Sequence, residues 1–533
     1  MKKIEIIILA AIVFLGAFLR IYKLDSVPPS LNWDEVAAGY NAYTIANWGA
    51  DEYGIKMPLV FKSFGDDKHP VHIYITAVFI KIFGLSEFIT RLPSAIIGIV
   101  AVAAIYFLVT VMFKNKAAGL LSSFFLAVSP YHLQLSRGLW EANFALSFYI
   151  LGLLMFYLGI KRKYLFPLSF LSFGLSFFSY HSAKVLIPAT IILLLALYAK
   201  DFVKNKIWLG ISLSVIALFT FLTINNPKIL GFARIEQNKI QKTDIENTYL
   251  FKKTGNSYLA TVEITFNHYK PYFNPKYLFI SGDENPRNSV NKFGQFYKVD
   301  LILMVAGLIA LFSARSRSSI ILGSWILLAP LPAAFAGGPQ NAIRGVFMLG
   351  GMTILAGLGA GKIISLFKNK IWRALSLIII LAAVSFEFGS YLKYYYKEYA
   401  KDHAIEWQYG MEQIVNYLKR NPDYSRVYMD KIRQQPYIFF LYYLKTPLPE
   451  LLATVNYDKS ESRSYNSVES FAEYQFGGNW DIINSYPYHG VIYVMTPSYY
   501  SGLRYINEFE VKKLIKYPGG TDAFYIVEGN LLW

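Results

Sequence analysis

The sequence contains no cysteine. That excludes a disulfide framework, a thiolate metal site and a cysteine nucleophile, so any domain outside a membrane has to hold together by packing. Charge is scarce as well: 16% of residues are Asp, Glu, Lys or Arg, against 54% hydrophobic. A soluble globular chain carries roughly 25% charged residues, so this one is short of solvated surface. The short alternating segments that build membrane β-barrels are absent, as are internal repeats and low-complexity stretches. There is also no basic stripe with interleaved aromatics, which sets nucleic acid aside as a partner despite a net charge of +17.

What the chain has instead is apolar length. Apolar segments lie at about 4–24, 71–84, 91–113, 117–135, 142–160, 164–179, 184–199, 207–224, 299–313, 319–336, 345–361 and 372–390. Many approach the roughly 20 residues that a helix needs to cross a bilayer core. Backbone polar groups cannot go unpaired in lipid, so these runs are expected to be helices. Lys2-Lys3 ahead of the first run imitates a signal peptide, but no small-residue cleavage site precedes Arg20 and Tyr22. The first segment therefore reads as an uncleaved helix with a cytoplasmic N-terminus.

Basic clusters punctuate the apolar runs at Lys161-Arg162-Lys163, Lys200 to Lys206, Arg315 with Arg317, and Lys362 to Arg373. The positive-inside rule puts all four in the cytoplasm. It follows that 25–70, 136–141, 225–298, 337–344 and everything after about 391 lie outside. Parity fails once, because three segments separate 25–70 from 136–141 where an even number is required. Segment 71–84 is the shortest and carries Lys81, so it is expected to be re-entrant or partly spanning.

The tail from 391 is rich in tyrosine and charge and has no membrane-length run. Residues 404–419 read as an amphipathic helix with Ile405, Met411, Ile414, Val415 and Leu418 on one face. Arg426 to Met429, Val491 to Met495 and Phe524 to Val527 read as strands. The expected architecture is an all-α polytopic membrane domain over 1–390 with about 11–12 transmembrane segments, including external loops 25–70 and 225–298. A small extracytoplasmic α/β domain over 391–533 follows, the whole seated in the plasma membrane.

Polar residues at the edges of apolar segments carry the functional information. Trp33-Asp34-Glu35 follows the first helix on the external side. A carboxylate there suits a general base toward a hydroxyl or amine; equally, Asn32 or Asp34 suits the N-cap of a helix through Val36 to Ala46. Gly65-Asp66-Asp67-Lys68-His69-Pro70 stands before the next apolar run. Lys68 can hold a phosphate as a point charge, snorkel to the interface, or pair with Asp66 or Asp67. Asp66, Asp67 and His69 form a weak set of ligands for a divalent metal. Ser136-Arg137, with Glu141 and Asn143, marks an external helix end, and the planar fork of Arg suits a phosphate. Ser281 to Asn288 and Gly337 to Arg344 are turn-rich, and they place Arg287 and Arg344 on the side that topology disfavours. Tyr180 to Lys184 adds His181 and Lys184. Several cations around two carboxylates on one face suit an anionic, lipid-linked substrate entering from the bilayer.

The order of these motifs resembles the GT-C glycosyltransferases. The series runs from an acidic pair after the first helix, through Lys-x-Pro (Lys68 to Pro70) and Arg-Leu-Pro-Ser-Ala (Arg91 to Ala95), to Ser136-Arg137. The protein O-mannosyltransferases and their relatives that transfer aminoarabinose to lipid A are the branch it is most similar to. The resemblance covers about residues 1–200, and the Gly282 to Arg287 loop and the Pro339 to Arg344 stretch extend it. It implies a transferase that takes a sugar from a polyprenyl-phosphate donor. It assigns the catalytic base to Asp34, with Glu35 beside it, and donor-phosphate contacts to Lys68 and Arg137, joined by Arg287 and Arg344. Asp67, His69, His181 and Lys184 are accessory candidates. It also implies no metal and no other cofactor, with a protein, lipid or glycan as acceptor. Two departures stand out: His69 occupies a position that is often proline, and no Asp closely follows Ser136-Arg137. Competing readings are an oligosaccharide ligase or polymerase of the same fold, a transporter, and a scaffold protein. A transporter predicts repeats and buried ionisable residues within spans, whereas here the polar residues gather on one face.

The topology is open to direct test. Reporter fusions after residues 163, 204, 316 and 366 are expected to read as cytoplasmic, and fusions after 260 and 400 as external. An external signal at 316 would overturn the arrangement.

Overall fold

The computed structural model describes residues 2–65, 67–231, 240–429, 435–458, 467–477, 481 and 484–531. The chain divides into two compact units, Met1–Tyr22 with Ser94–Lys393 and Lys23–Pro93 with Tyr394–Trp533. One cut falls near the change of composition at about 391. The first loop, however, was expected to belong with the membrane domain, and it clusters with the tail instead.

The first ten helices are α1 (Lys3–Ile21), α2 (Trp33–Trp48), α3 (Pro70–Phe83), α4 (Glu87–Phe113), α5 (Lys116–Val128), α6 (Pro130–Ser136), α7 (Glu141–Gly159), α8 (Phe166–Phe177), α9 (Ala183–Phe202) and α10 (Lys206–Asn225). Among the described residues, eight helices are long and apolar enough to cross a membrane: α1, α4, α7, α9, α10, Arg317–Ala336, Phe347–Ser365 and Lys370–Lys397. The remaining four apolar stretches of the sequence form shorter helices. Stretch 71–84 is the 14-residue α3, about 21 Å long at 1.5 Å per residue and so too short to cross a core of about 30 Å. Stretch 164–179 holds the 12-residue α8, and 299–313 forms the 17-residue Lys298–Ala314. Stretch 117–135 breaks into α5 and α6 at Ser129. There the Ser129 hydroxyl accepts from the His132 amide at 3.3 Å, and Pro130 opens the new helix.

Within the first unit, α7 and Phe347–Ser365 are each 78% buried, whereas α10 is 6% buried, marking core and lipid-facing edge. Helices Lys298–Ala314 and Phe347–Ser365 approach to backbone contact. A Cβ at Gly307 would strike the Leu355 carbonyl, and one at Gly359 the Leu303 carbonyl. With lipid as apolar as any side chain, such small-residue contacts, rather than hydrophobicity, hold helices together.

In the second unit the tail forms a mixed sheet of β1 (Arg426–Met429), β2 (Asn456–Asp458), β3 (Ser467–Phe471), β4 (Tyr474–Gln475), β5 (Val491–Met495), β6 (Phe509–Lys516) and β7 (Asp522–Gly529), in the order β2-β3-β4-β1-β5-β7-β6. β1 runs parallel to β4 and β5, and the remaining pairs are antiparallel. Every residue of β5 is buried, as a strand covered on both faces requires. The three expected strands are β1, β5 and part of β7. The expected helix 404–419 begins later, at Met411, because Gly410 (φ +110°) breaks the chain just before it. Met411, Ile414, Val415 and Leu418 face the core, while Ile405 is 48% exposed in the preceding turn.

Helix α2 lies against the tail helix Pro436–Leu444. The Tyr40 hydroxyl donates to the Thr446 carbonyl at 2.9 Å, and Thr90 Oγ1 lies 2.7 Å from the Tyr442 hydroxyl. A Cβ at Gly39 would sit 2.8 Å from the Tyr442 ring. These contacts make the first loop and the tail one body.

Candidate active site

The second unit builds its polar centre on the first turn of α2. Asn32 is the N-cap, its Oδ1 accepting from the amides of Asp34 at 2.9 Å and Glu35 at 3.3 Å. Glu35 completes the capping box by accepting from the Asn32 amide at 3.1 Å. The same carboxylate takes Arg91 in a two-pronged ion pair, Nε to Oε1 at 2.9 Å and Nη2 to Oε2 at 3.0 Å, with both side chains fully buried. Arg91 also donates to the carbonyls of Leu24 (3.1 Å), Pro28 (3.0 Å) and Ser30 (2.5 Å), so it gathers the chain that leads into α2.

Asp34 takes a different direction. One residue earlier on a helix is about 100° around the axis, and there its Oδ1 lies 3.2 Å from the Lys68 ammonium, with side chains 22% and 14% exposed. Lys68 is held from behind by a two-bond bridge with Phe61, whose amide and carbonyl exchange hydrogen bonds with it at 3.0 and 2.8 Å. Of the partners weighed for Lys68 from the sequence, Asp66 lies outside the described residues. Asp67 is half-buried, and His69, buried, caps α3 with its backbone ahead of Pro70. The two adjacent acids thus part company: Glu35 is committed to structure, and Asp34 stays accessible beside a cation.

In the first unit, Arg137 is fully buried at the end of α6. Its Nη1 donates to the Leu19 carbonyl at 2.5 Å and its Nη2 to the Tyr22 carbonyl at 2.9 Å. These carbonyls end α1, where a cation is favourable on hydrogen-bonding and dipole grounds. Arg20 reaches the same region from α1, giving Nη2 to His132 Nδ1 at 2.7 Å and Nη1 to the Ala127 carbonyl at 3.1 Å. Asn143 donates to the Ser94 carbonyl at 2.9 Å. Glu141 opens α7 and is buried.

The two turn-rich stretches meet through Asp283. This buried carboxylate accepts from the Asn285 amide at 2.8 Å, the Asn288 side chain at 3.1 Å and the Ala342 amide at 2.6 Å, and burial raises its pKa. Arg287 is half-buried, and its carbonyl receives Gln134 at 3.0 Å. Arg344 donates to the Gly337 carbonyl at 3.0 Å. With His181 and Lys184, it lines a cavity of about 500 Å³ whose other walls are mostly apolar, among them Val185, Leu230 and Phe335. Lys184 Nζ lies 3.3 Å from His181 Nδ1.

Sequence reasoning missed the structural weight of Arg91, which enters it only as the first letter of a motif. An ionisable residue inside an apolar run was signal enough to mark it, and the same holds for Arg20. Glu52 gave no such signal. It is buried under Asn41 (3.1 Å) and Tyr437 (3.5 Å), and burial pushes it up to about 8. Among the described residues no three His, Asp or Glu side chains converge in a metal-ligand cluster.

Comparison with solved structures gives the fold its class. The chain superposes on ArnT from Cupriavidus metallidurans bound to undecaprenyl phosphate with a TM-score of 0.54 at 13% identity, covering 100% of this chain and 99% of that one. It superposes on the oligosaccharyltransferase of Archaeoglobus fulgidus with a TM-score of 0.54 at 15% identity, covering 98% of this chain and 74% of that one. At such identities the likeness is one of fold. In sequence, residues 67–224 match the model of the dolichyl-phosphate-mannose-protein mannosyltransferase family. No curated protein matches the sequence. Fold and family match together define a membrane glycosyltransferase of the GT-C class. Within that class, residues 67–224 are similar to the protein mannosyltransferases and the fold is similar to that of ArnT.

The two acidic residues should separate in a stability measurement. Arg91→Ala strands the Glu35 carboxylate in a dry site, which typically costs about 3–5 kcal/mol. Asp34→Asn breaks only a part-exposed pair, worth at most about 1 kcal/mol. Thermal melts of the detergent-solubilised variants are expected to show a large drop for Arg91→Ala and little change for Asp34→Asn.

Proposed function

We propose that this chain transfers a sugar from a polyprenyl-phosphate donor to a protein, lipid or glycan acceptor on the extracytoplasmic face, with inversion at the anomeric carbon. The observation that carries the reading is the accessible Asp34–Lys68 pair, 3.2 Å apart, at the start of a helix whose other acid is fully engaged. The matched family takes its name from a dolichyl-phosphate-mannose substrate. Two solved structures similar in fold also hold lipid phosphates: ArnT with undecaprenyl phosphate, and the archaeal oligosaccharyltransferase AglB with a dolichol-phosphate.

In this mechanism Asp34 removes the proton from the acceptor hydroxyl or amine as it attacks. Lys68 turns from Asp34 toward the phosphate and neutralises the charge that develops as the bond to the sugar breaks. One carboxylate suffices, because a phosphate leaving group needs no strong general acid of the kind glycoside hydrolysis requires. Glu35 serves as a positioning group held by Arg91. Arg344, beside Lys184 and His181, is a second candidate for phosphate, and Arg137 and Arg287 remain phosphate candidates on the family resemblance. Asp67 and His69 are accessory. No metal takes part in the step.

Asp34→Asn is expected to cut turnover about 100-fold or more, the range for loss of a general base, in an assay that follows product by mass spectrometry from synthetic prenyl-phosphate sugars. Normal turnover by the folded variant would remove Asp34 from the role. The fold likeness to an oligosaccharyltransferase favours block transfer as a second reading. Activity surviving extensive EDTA treatment is the expected result. Loss of activity that returns with Mn²⁺ or Mg²⁺ would favour block transfer instead.

A further inference from the structure

The backbone of the α2 first turn reaches beyond its own capping box. Trp33 occupies the first helical position, one residue before Asp34, and an amide there has no partner within the helix. It donates to the side-chain Oε1 of Gln408 at 3.2 Å. Gln408 belongs to the tail, 375 residues away in sequence, yet it is 4% exposed and fixed from several sides. Its amide donates to the Ile405 carbonyl at 3.1 Å, and its Nε2 donates to the Glu406 carbonyl at 2.9 Å. It holds φ +51°, a left-handed conformation that a side chain such as Gln adopts only when its surroundings enforce it. Next to it, Trp407 is fully buried, with its indole N–H on the Tyr399 hydroxyl at 2.8 Å. Its ring lies 5.6 Å from the Arg91 guanidinium that grips Glu35.

Two routes therefore run from this one tail turn to the acid. Gln408 holds the Trp33 amide directly. Trp407 backs Arg91, which holds Glu35, which holds Asn32, whose side chain accepts the Asp34 amide at 2.9 Å. Both routes fix the direction in which Asp34 leaves the helix. Neither reaches Lys68, which hangs from its own bridge to Phe61.

We infer that Gln408, backed by Trp407, is a positioning residue for the Asp34 carboxylate, so that the C-terminal domain is an integral part of the transfer machinery. The inference rests on the reading of Asp34 as the base. A misplaced base lowers the rate of the chemical step while leaving the grip on the donor intact, so the effect falls on kcat and spares KM.

The test uses the full-length chain in detergent, a synthetic polyprenyl-phosphate sugar that the wild type turns over, and saturating acceptor. Gln408→Met keeps the volume and deletes the acceptor oxygen. It is expected to lower kcat roughly tenfold with donor KM changed by less than about twofold, and to speed hydrogen exchange at the Trp33 amide. Gln408→Glu keeps an oxygen for the Trp33 amide but loses the donor to the Glu406 carbonyl. It is expected to restore kcat in part and to slow exchange at the Trp33 amide again relative to Gln408→Met. In an Asp34→Asn background, Gln408→Met should cause no further loss, because its effect acts through the missing base. Should Gln408→Met not fold, Trp33→Pro removes the same bond from the donor's side at a position that tolerates proline, and the same kcat loss is expected. Wild-type kcat in the folded variant, unchanged exchange at Trp33, or losses that multiply with Asp34→Asn would each overturn the inference. If Asp34→Asn is inactive and Gln408→Met fully active, only this inference falls; if Asp34→Asn is fully active, the base assignment falls first.

Discussion

Five hydrogen bonds surround the Arg91 guanidinium, two to the Glu35 carboxylate and three to the carbonyls of Leu24, Pro28 and Ser30. A buried ion pair of this kind adds little net stability when both partners are present, because desolvation offsets the attraction. Its value lies in specificity. With Arg91 buried, the observed course of the chain from Leu24 to Glu35 satisfies all five of its donors. That course leads into the start of α2. The N-cap and the accessible Asp34 follow from it, while Lys68 hangs from its own bridge to Phe61.

The acidic pair shows how neighbours in sequence become unlike in chemistry. Glu35 sits at the third helical position, where a glutamate reaches back to cap its own helix, and burial leaves it to Arg91. Asp34, one step around the axis and one methylene shorter, cannot make that reach. It projects toward Lys68 and stays partly in contact with solvent. Glu35 has both carboxylate oxygens taken up by Arg91, whereas Asp34 keeps an open face that an acceptor can approach.

The basic residues teach the opposite lesson about reading function from topology. The positive-inside rule, applied to the sequence, puts Arg137 on the side where positive charge is disfavoured, which argues for function. The structure supplies a structural demand at the same place, since the closing carbonyls of α1 take two of its donors. Arg20 answers a similar demand from the carbonyls at the end of α5. Helix ends near a membrane leave polar groups that neither lipid nor the helix can satisfy, and arginine is suited to serve several at once.

Hydropathy alone decided that this is a membrane protein, because scarce charge and long apolar runs admit no soluble packing. The order of the motifs decided its class, and period-2 and amphipathic patterns located β1, β5 and the helix beginning at Met411. The short 71–84 segment was legible as the 14-residue α3. Length of apolar run did not locate the break at Ser129-Pro130 or the shortness of α8, which depend on capping and local packing. The edge strand β6 stayed hidden because its Lys-rich stretch reads as polar, as exposed edges usually do. The partnership of the first loop with the tail was equally illegible. Trp33 and Gln408, or Tyr40 and Thr446, lie hundreds of residues apart, and a single hydrogen bond leaves no periodic trace in either segment. Composition records how much surface each segment must hide. Only the folded chain records which buried donor found which acceptor.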